Sequence, residues 1–244
     1  MHILVTRPAP DGATLKQLIE SAGHQASLAP LMSVAFDRPL AEELEGITGL
    51  VATSRNALRA LAGTEALDVA RGLTVFAVGA GTAEQARSMG FARVVKGPGT
   101  AEALGPLIAS IVDPAEEVLL HLAGEQLSRD LVGELSLSGL NISSRIVYGI
   151  RPARELPEAV RSAIRVGVID AVMLMSPQTA AIWSRLVRLH GLESAAREII
   201  HLCLSSAVAG RLTGLGTVPT GIAGEPTLEE MLALADLAAA KSAR

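Results

Sequence analysis

A lone cysteine, Cys203, in a chain of 244 residues cannot close an internal disulfide, which fits a reducing compartment. It lies in the apolar run 199–204, where a thiol packs as a small hydrophobe rather than serving as a nucleophile. Aromatic residues are nearly absent: three Phe, one Tyr and one Trp. A core must therefore be built from Ala, Leu, Val and Ile and fit by shape. No uninterrupted apolar stretch approaches the roughly 20 residues that span a bilayer. No basic segment followed by an apolar one opens the chain either, because the run from Met1 to Val5 is cut off by Arg7-Pro8. Charge of one sign is lacking too, with 21 basic and 25 acidic residues interspersed and a net charge of −4. No basic stripe offers itself to nucleic acid. These absences predict a cytoplasmic protein with neither membrane nor nucleic acid as partner.

The machinery of several chemistries is missing as well. The five histidines (His2, His24, His121, His190, His201) form no i, i+4 pair and have no cysteine cluster near them. His121 and His201 sit inside apolar runs, where a hydrogen-bonded core or lobe-facing histidine is expected. No Gly-x-Ser-x-Gly elbow supports a serine nucleophile. The segment Val78-Gly79-Ala80-Gly81-Thr82 lacks the third glycine and the later acidic residue of a dinucleotide fingerprint, and no Walker A loop is present. The expected cofactors and metals are none.

What the chain has is itself, twice. Thr53-Ser54-Arg55-Asn56-Ala57 is echoed by Met175-Ser176-Pro177-Gln178-Thr179-Ala180, each after an apolar run. The segment 78–83 with Gly90 is echoed by 204–209 with Gly216, and the N-terminal Leu15, Leu18 and Gly23 by Leu131 and Gly139. The order is A-B-C-A-B-C, which predicts two similar lobes, and a joint between lobes is a preferred place for a ligand.

Short apolar runs at 3–6, 49–52, 74–78, 118–122, 171–175 and 199–204 alternate with amphipathic stretches. That is the pattern of an α/β protein whose largely parallel sheets are flanked by helices. Leu15, Leu18, Ile19 and Ala22 mark a helix stopped by Gly23. Leu104, Leu107, Ile108 and Ile111 mark another after Thr100. Thr227 with Glu230 forms a Thr-x-x-Glu box before the last helix, and Pro157 opens a further one. Two β-rich segments at the repeat junctions, 32–37 and 145–151, break the alternation and predict a two-stranded β ladder joining the lobes. The expected domains are 1–34 with 151–244, discontinuous, and 37–147.

The turns after the strands collect small and hydroxyl residues: Arg7 after Thr6, Thr53-Ser54, Gly79 to Thr82, Gly124, Ser176-Pro177 and Ser205-Ser206. At that edge of an open α/β sheet ligands bind, and unpaired amides of a helix N-terminus take anionic oxygens without a basic side chain. Ser and Thr are also the ordinary N-caps, so each turn taken alone has a purely structural reading. Tyr148, the single tyrosine, is either a packed strand residue or a phenol able to hand a proton to a leaving oxygen.

In these pieces the chain resembles the uroporphyrinogen-III synthase family over nearly its whole length. The resemblance rests on Leu4-Val5-Thr6-Arg7-Pro8, Thr53 to Ala57, Ala77-Val78-Gly79 with Thr82-Ala83, Gly124 with Arg129, Val147-Tyr148, Ser176-Pro177 with Thr179-Ala180, and Glu225-Pro226-Thr227. It implies two α/β lobes joined by a β ladder. It also implies a cofactor-independent, monomeric lyase that cyclises hydroxymethylbilane, a linear tetrapyrrole with eight carboxylates. Water is lost and ring D is inverted through a spiro intermediate, and the substrate is handed over by the deaminase. Tyr148, as general acid, and Thr82 are the catalytic residues it implies. The substrate-binding set is Arg7, Thr53, Ser54, Gly79, Thr100, Gly124, Ser176, Pro177, Ser206 and Thr227. Val208 stands where the first repeat has Thr82, and Ala123 precedes Gly124 where the family often has a polar residue. A two-lobed ligand-binding or regulatory module without catalysis is the alternative.

Overall fold

In a computed structural model of the chain, residues 1–127 and 129–242 are described. The strands are β1 (His2–Val5), β2 (Gln25–Leu28), β3 (Met32–Phe36), β4 (Gly49–Ala52), β5 (Thr74–Ala77), β6 (Arg93–Lys96), β7 (Val118–Gly124), β8 (Asn141–Pro152), β9 (Ala171–Leu174), β10 (Ile200–Cys203) and β11 (Thr220–Ile222). The helices are α1 (Asp11–Ser21), α2 (Arg55–Arg59), α3 (Glu65–Ala70), α4 (Ala80–Ser88), α5 (Ala101–Ile111), α6 (Leu131–Leu137), α7 (Glu158–Arg165), α8 (Pro177–Leu189), α9 (Glu193–Ala196), α10 (Ser206–Ala209) and α11 (Leu228–Ser242).

The chain divides into two compact units, one of Met1–Ser33 with Arg151–Arg244 and one of Val34–Ile150. It passes from one to the other twice, inside β3 and inside β8. These two strands are neighbours in their sheet, and the bonds Ala153 N–H to Leu31 O and Asp37 N–H to Val147 O run them in opposite directions.

The first unit holds a five-stranded sheet in the order β11-β10-β9-β1-β2. Its pairings are parallel throughout. Because side chains alternate across a strand, Leu4, Val172 and Leu174 face one helix layer with Trp183, Leu186 and Val187 of α8. Ile3, Val5, Met173 and Leu202 face the other, with Leu15 and Ile19 of α1 and Met231 of α11. The second unit repeats the scheme in a six-stranded sheet, β3-β8-β7-β4-β5-β6. Leu50, Ala52, Val75, Leu120 and Leu122 pack on α2 and α4, and Val51, Phe76 and Leu119 on α5 and α6. Each Val, Leu, Ile, Phe or Met side chain among them taken fully from water contributes about 1.5–3 kcal/mol, and a sheet covered on both faces has two such layers.

The repeat governs sheet order and register. Residues 2 and 118 begin equivalent strands, as do 25 and 141, 49 and 171, and 74 and 200. His2 pairs with Gln25 as Val118 pairs with Asn141, and Ala171 pairs with Ile200 as Gly49 pairs with Thr74. Each sheet therefore combines the A strands of one repeat with the B and C strands of the other.

Three strands match neither the apolar runs nor the two junction segments: β2, β6 and β11. All lie at sheet edges, where only part of each side chain is covered and polar residues are tolerated. The expected stripes are also narrower than the spacing suggests, since Leu18 and Ile111 are 39% and 51% exposed. Leu15 and Ile19, 40° apart on the helix, face the sheet, and Leu18 turns away from it.

Candidate functional site

At the carboxyl end of the second unit's sheet the chain leaves a cavity of about 280 Å³. Thr53 reaches it from the end of β4 and Val78 from the end of β5; Gly99 and Ala101 border it at the start of α5. His121 and Gly124 line it from β7, Gln126 and Arg129 from the turn before α6, and Tyr148 from β8.

The β7–β8 register explains why Tyr148 stands at this wall. Ala123 pairs with Ile146 and Gly124 with Tyr148, so one residue is bulged between them, and a bulge re-aims a side chain. The phenol then lies flat against Gly124. A Cβ there would sit 2.7 Å from Tyr148 Cζ and 2.8 Å from its hydroxyl oxygen, well inside van der Waals contact. A side chain at 124 would thus displace the ring.

Below the tyrosine, His121 is 2% exposed. Its Nε2 lies 3.4 Å from Thr53 Oγ1, and its Nδ1 has no hydrogen-bond partner among the described residues. Burial pushes its pKa down, so the ring is neutral. At the exposed rim, Arg129 Nε–H donates to Glu134 Oε1 at 2.6 Å, and that carboxylate's hydrogen bond raises the guanidinium pKa further.

The first unit offers a second, shallower hollow of about 590 Å³, lined by Ser176, Pro177, Gln178, Ala181 and Arg211. Ser176 Oγ caps α8 by accepting from the Thr179 amide at 3.1 Å and also contacts Thr179 Oγ1 at 2.7 Å.

Of the residues expected from sequence, Thr53, Gly124 and Tyr148 come together in the second unit's cavity, and Ser176 and Pro177 meet in the first unit's hollow. The others line neither. Ser54, Thr100 and Thr227 serve as N-caps, accepting from the amides of Asn56, Ala103 and Glu230, each at 3.2 Å. Arg7 pairs with Asp11 at 3.2 Å. Gly79 is accounted for by packing, since a Cβ would meet Gly99 Cα at 3.0 Å. Thr82 is buried in α4, and Ser206 opens the four-residue α10.

Sequence reasoning passed over His121, Gln126 and Arg129 as site residues. For His121 a signal existed. In the repeat's register it stands beside Val51 where Val5 stands beside Met173, so packing alone is satisfied there by valine. His201, by contrast, is a satisfied core group: Trp183 Nε1–H donates to its Nε2 at 3.0 Å, and its Nδ1 lies 3.3 Å from Pro219 O. Burial also pushes the Cys203 thiol up to about 12, which removes it as a nucleophile. Among the described residues, no group of three or more His, Cys, Asp or Glu is placed to hold a metal ion, and no helix is long and apolar enough to cross a membrane.

The chain matches the family model of uroporphyrinogen-III synthase HemD over residues 13–233. Its fold is similar to the crystal structure of uroporphyrinogen-III synthetase from Helicobacter pylori 26695, with 18% identity, 97% of this chain and 98% of that one covered, and a TM-score of 0.63. Uroporphyrinogen III synthase from the extremely thermophilic bacterium Thermus thermophilus aligns at 19% identity over 100% and 99% of the two chains, with a TM-score of 0.44. No curated protein matches in sequence.

Proposed function

Since the chain belongs to the uroporphyrinogen-III synthase family, we propose that it closes hydroxymethylbilane to uroporphyrinogen III as a cofactor-independent lyase, with Tyr148 as the acid that releases water. The observation that carries this role is the phenol fixed on Gly124 at the wall of the second unit's cavity.

The bilane closes unaided to the isomer in which ring D is not inverted, so the protein's task is to hold a flexible polyanion in one geometry. Helix N-termini suit that task, because their amides and dipoles favour anions. In the first unit Ser176, Pro177 and Ser206 stand at such ends, with Arg7 and Thr227 as further contacts. In the second the same role falls to Thr53, Ser54, Gly79 and Thr100, with Thr82 beside them and Gly124, at the end of β7, as a further contact. As the terminal C–O bond breaks, Tyr148 delivers its proton to the departing oxygen and water leaves. The cation so formed on the bilane is attacked by the ring D carbon that already bears the bridge, giving the spiro intermediate. Bond migration and proton loss then give the inverted ring. Among the described residues that line the cavity, the guanidinium of Arg129 is the single permanent cation, and it is paired with Glu134, so the developing positive charge meets little repulsion.

The reading extends to a monomer in the cytoplasm that receives its unstable substrate from the deaminase. Supplying porphobilinogen with that deaminase and resolving the porphyrin isomers after oxidation tests the activity. Excess type III is expected, and type I alone would leave a binding or regulatory module as the surviving description.

A further inference from the structure

The deepest polar group of the second unit's cavity is one that the reaction above does not use. His121 is almost wholly buried, and its Nδ1 is without a partner among the described residues. Leaving a buried polar atom unmatched is costly, and the equivalent place in the other repeat shows valine sufficing for packing. A neutral imidazole donates from one nitrogen and accepts at the other. The 3.4 Å contact between Thr53 Oγ1 and Nε2 admits either tautomer; the one in which the Thr53 hydroxyl donates to Nε2 leaves Nδ1–H as a donor.

The rest of the lining points the same way. Gln126, Arg129 and the Tyr148 hydroxyl bring further donors, and the start of α5 adds its positive dipole end at Ala101. Among the described residues, no acidic side chain lines the cavity. Of the carboxylates that act on Arg129, Glu134 and Glu102, Glu134 is engaged by the Nε edge of the guanidinium, which has four more N–H donors. A donor-lined pocket with no acidic lining side chain, walled in part by a histidine whose buried Nδ1 is unmatched, suits an anionic oxygen.

We propose that this cavity seats one carboxylate arm of the bilane, an acetate or propionate side chain, with His121 Nδ1–H as its innermost donor and Thr53 holding the imidazole from behind. The identity of the arm rests on the synthase reading; the anion site itself does not. His121 acts on the substrate's position and takes no part in the bond-breaking step. The charged or titratable groups lining the pocket with it are Tyr148 on β8 and Arg129, which Glu134 of α6 holds. A carboxylate arriving here opposes the burial that keeps His121 neutral, so its pKa rises on binding.

Propionate is the probe for the free protein, added to the full chain labelled with ¹⁵N-histidine, with chloride at equal ionic strength as the control. One set of ring nitrogens, identified by its loss in His121→Gln, is expected to shift saturably with propionate and to titrate at higher pH when it is bound. In turnover, His121→Leu is expected to raise KM about tenfold or more, the loss of one hydrogen bond to a charged group, with kcat within about twofold. His121→Gln, which keeps an N–H, should return KM to within about threefold of the parent. If propionate leaves the His121 signals unmoved, or if His121→Leu leaves KM unchanged while type III product still forms, the arm site is wrong and the synthase reading stands. Failure of the parent protein to form type III product, with propionate still shifting His121, would bring down the synthase reading and the identity of the arm together.

Discussion

Replacing Gly124 by alanine adds one methyl group at the point where the Tyr148 ring lies against the backbone. The new Cβ would begin 2.7 Å from Cζ, 2.8 Å from the hydroxyl oxygen and 3.1 Å from Cε1. Carbon atoms in contact settle at roughly 3.5–4.0 Å, so the ring must withdraw by about 1 Å. Backbone atoms on β7 and β8 cannot yield that distance without breaking the ladder that pairs Gly124 with Tyr148. Overpacking of this kind costs about 1–3 kcal/mol, and a 1 Å displacement of a reacting group costs about a hundredfold in rate. Gly124→Ala is therefore expected to lower kcat for type III formation by about 10- to 100-fold and to reduce Tm by several degrees. In Gly124→Ala/Tyr148→Ala the clash is gone, so the stability loss should be smaller than the sum of the single losses. Unchanged kcat and Tm in Gly124→Ala would refute the placement of the ring, and strict additivity in the double variant would refute the contact.

Tyr148→Phe keeps the ring and removes the proton, so kcat should fall about 10- to 100-fold without reaching zero; an unaltered rate removes Tyr148 from the mechanism. Ser176→Ala deletes the cap of the 13-residue α8 and should cost about 1 kcal/mol in chemical denaturation, with an added rise in KM if Ser176 also meets substrate. His201 is held well below its ordinary value, at about 4, by burial. Its unfolded form takes up a proton near pH 6.5, whereas the folded one does so only near 4. Stability is thus full above about pH 6.5 and falls as the pH drops toward 4, by about 3 kcal/mol. Fluorescence of the single tryptophan, Trp183, whose indole N–H bonds to His201, follows this unfolding. His201→Gln should flatten the slope in that window, and an unchanged slope would count against the buried neutral ring.

The central strands were legible because a strand covered on both faces must be apolar at every position, as β4 and β9 are. The edge strands β2, β6 and β11 were not, because half-covered strands of three or four residues carry no such pattern. The repeat was legible in the turn residues, and the sheets show what it encodes: strand order and register together. Ser54, Thr100, Ser176 and Thr227 stood out as hydroxyls at helix starts, yet spacing cannot tell a cap from a ligand contact, and the structure gives all four an amide to cap. Tyr148 was visible as a lone tyrosine, whereas its contact with Gly124 depends on a bulge that leaves no mark in the sequence. His121 was hidden by its apolar neighbours and is distinguished only by comparison with Val5 of the other repeat.

The most direct test of the synthase reading is the isomer ratio of the porphyrin formed when this protein meets freshly generated hydroxymethylbilane. Type III is expected in large excess over type I, with the excess collapsing in Gly124→Ala as spontaneous closure overtakes the slowed enzyme. Type I alone, at the rate of the bilane left to itself, would contradict it.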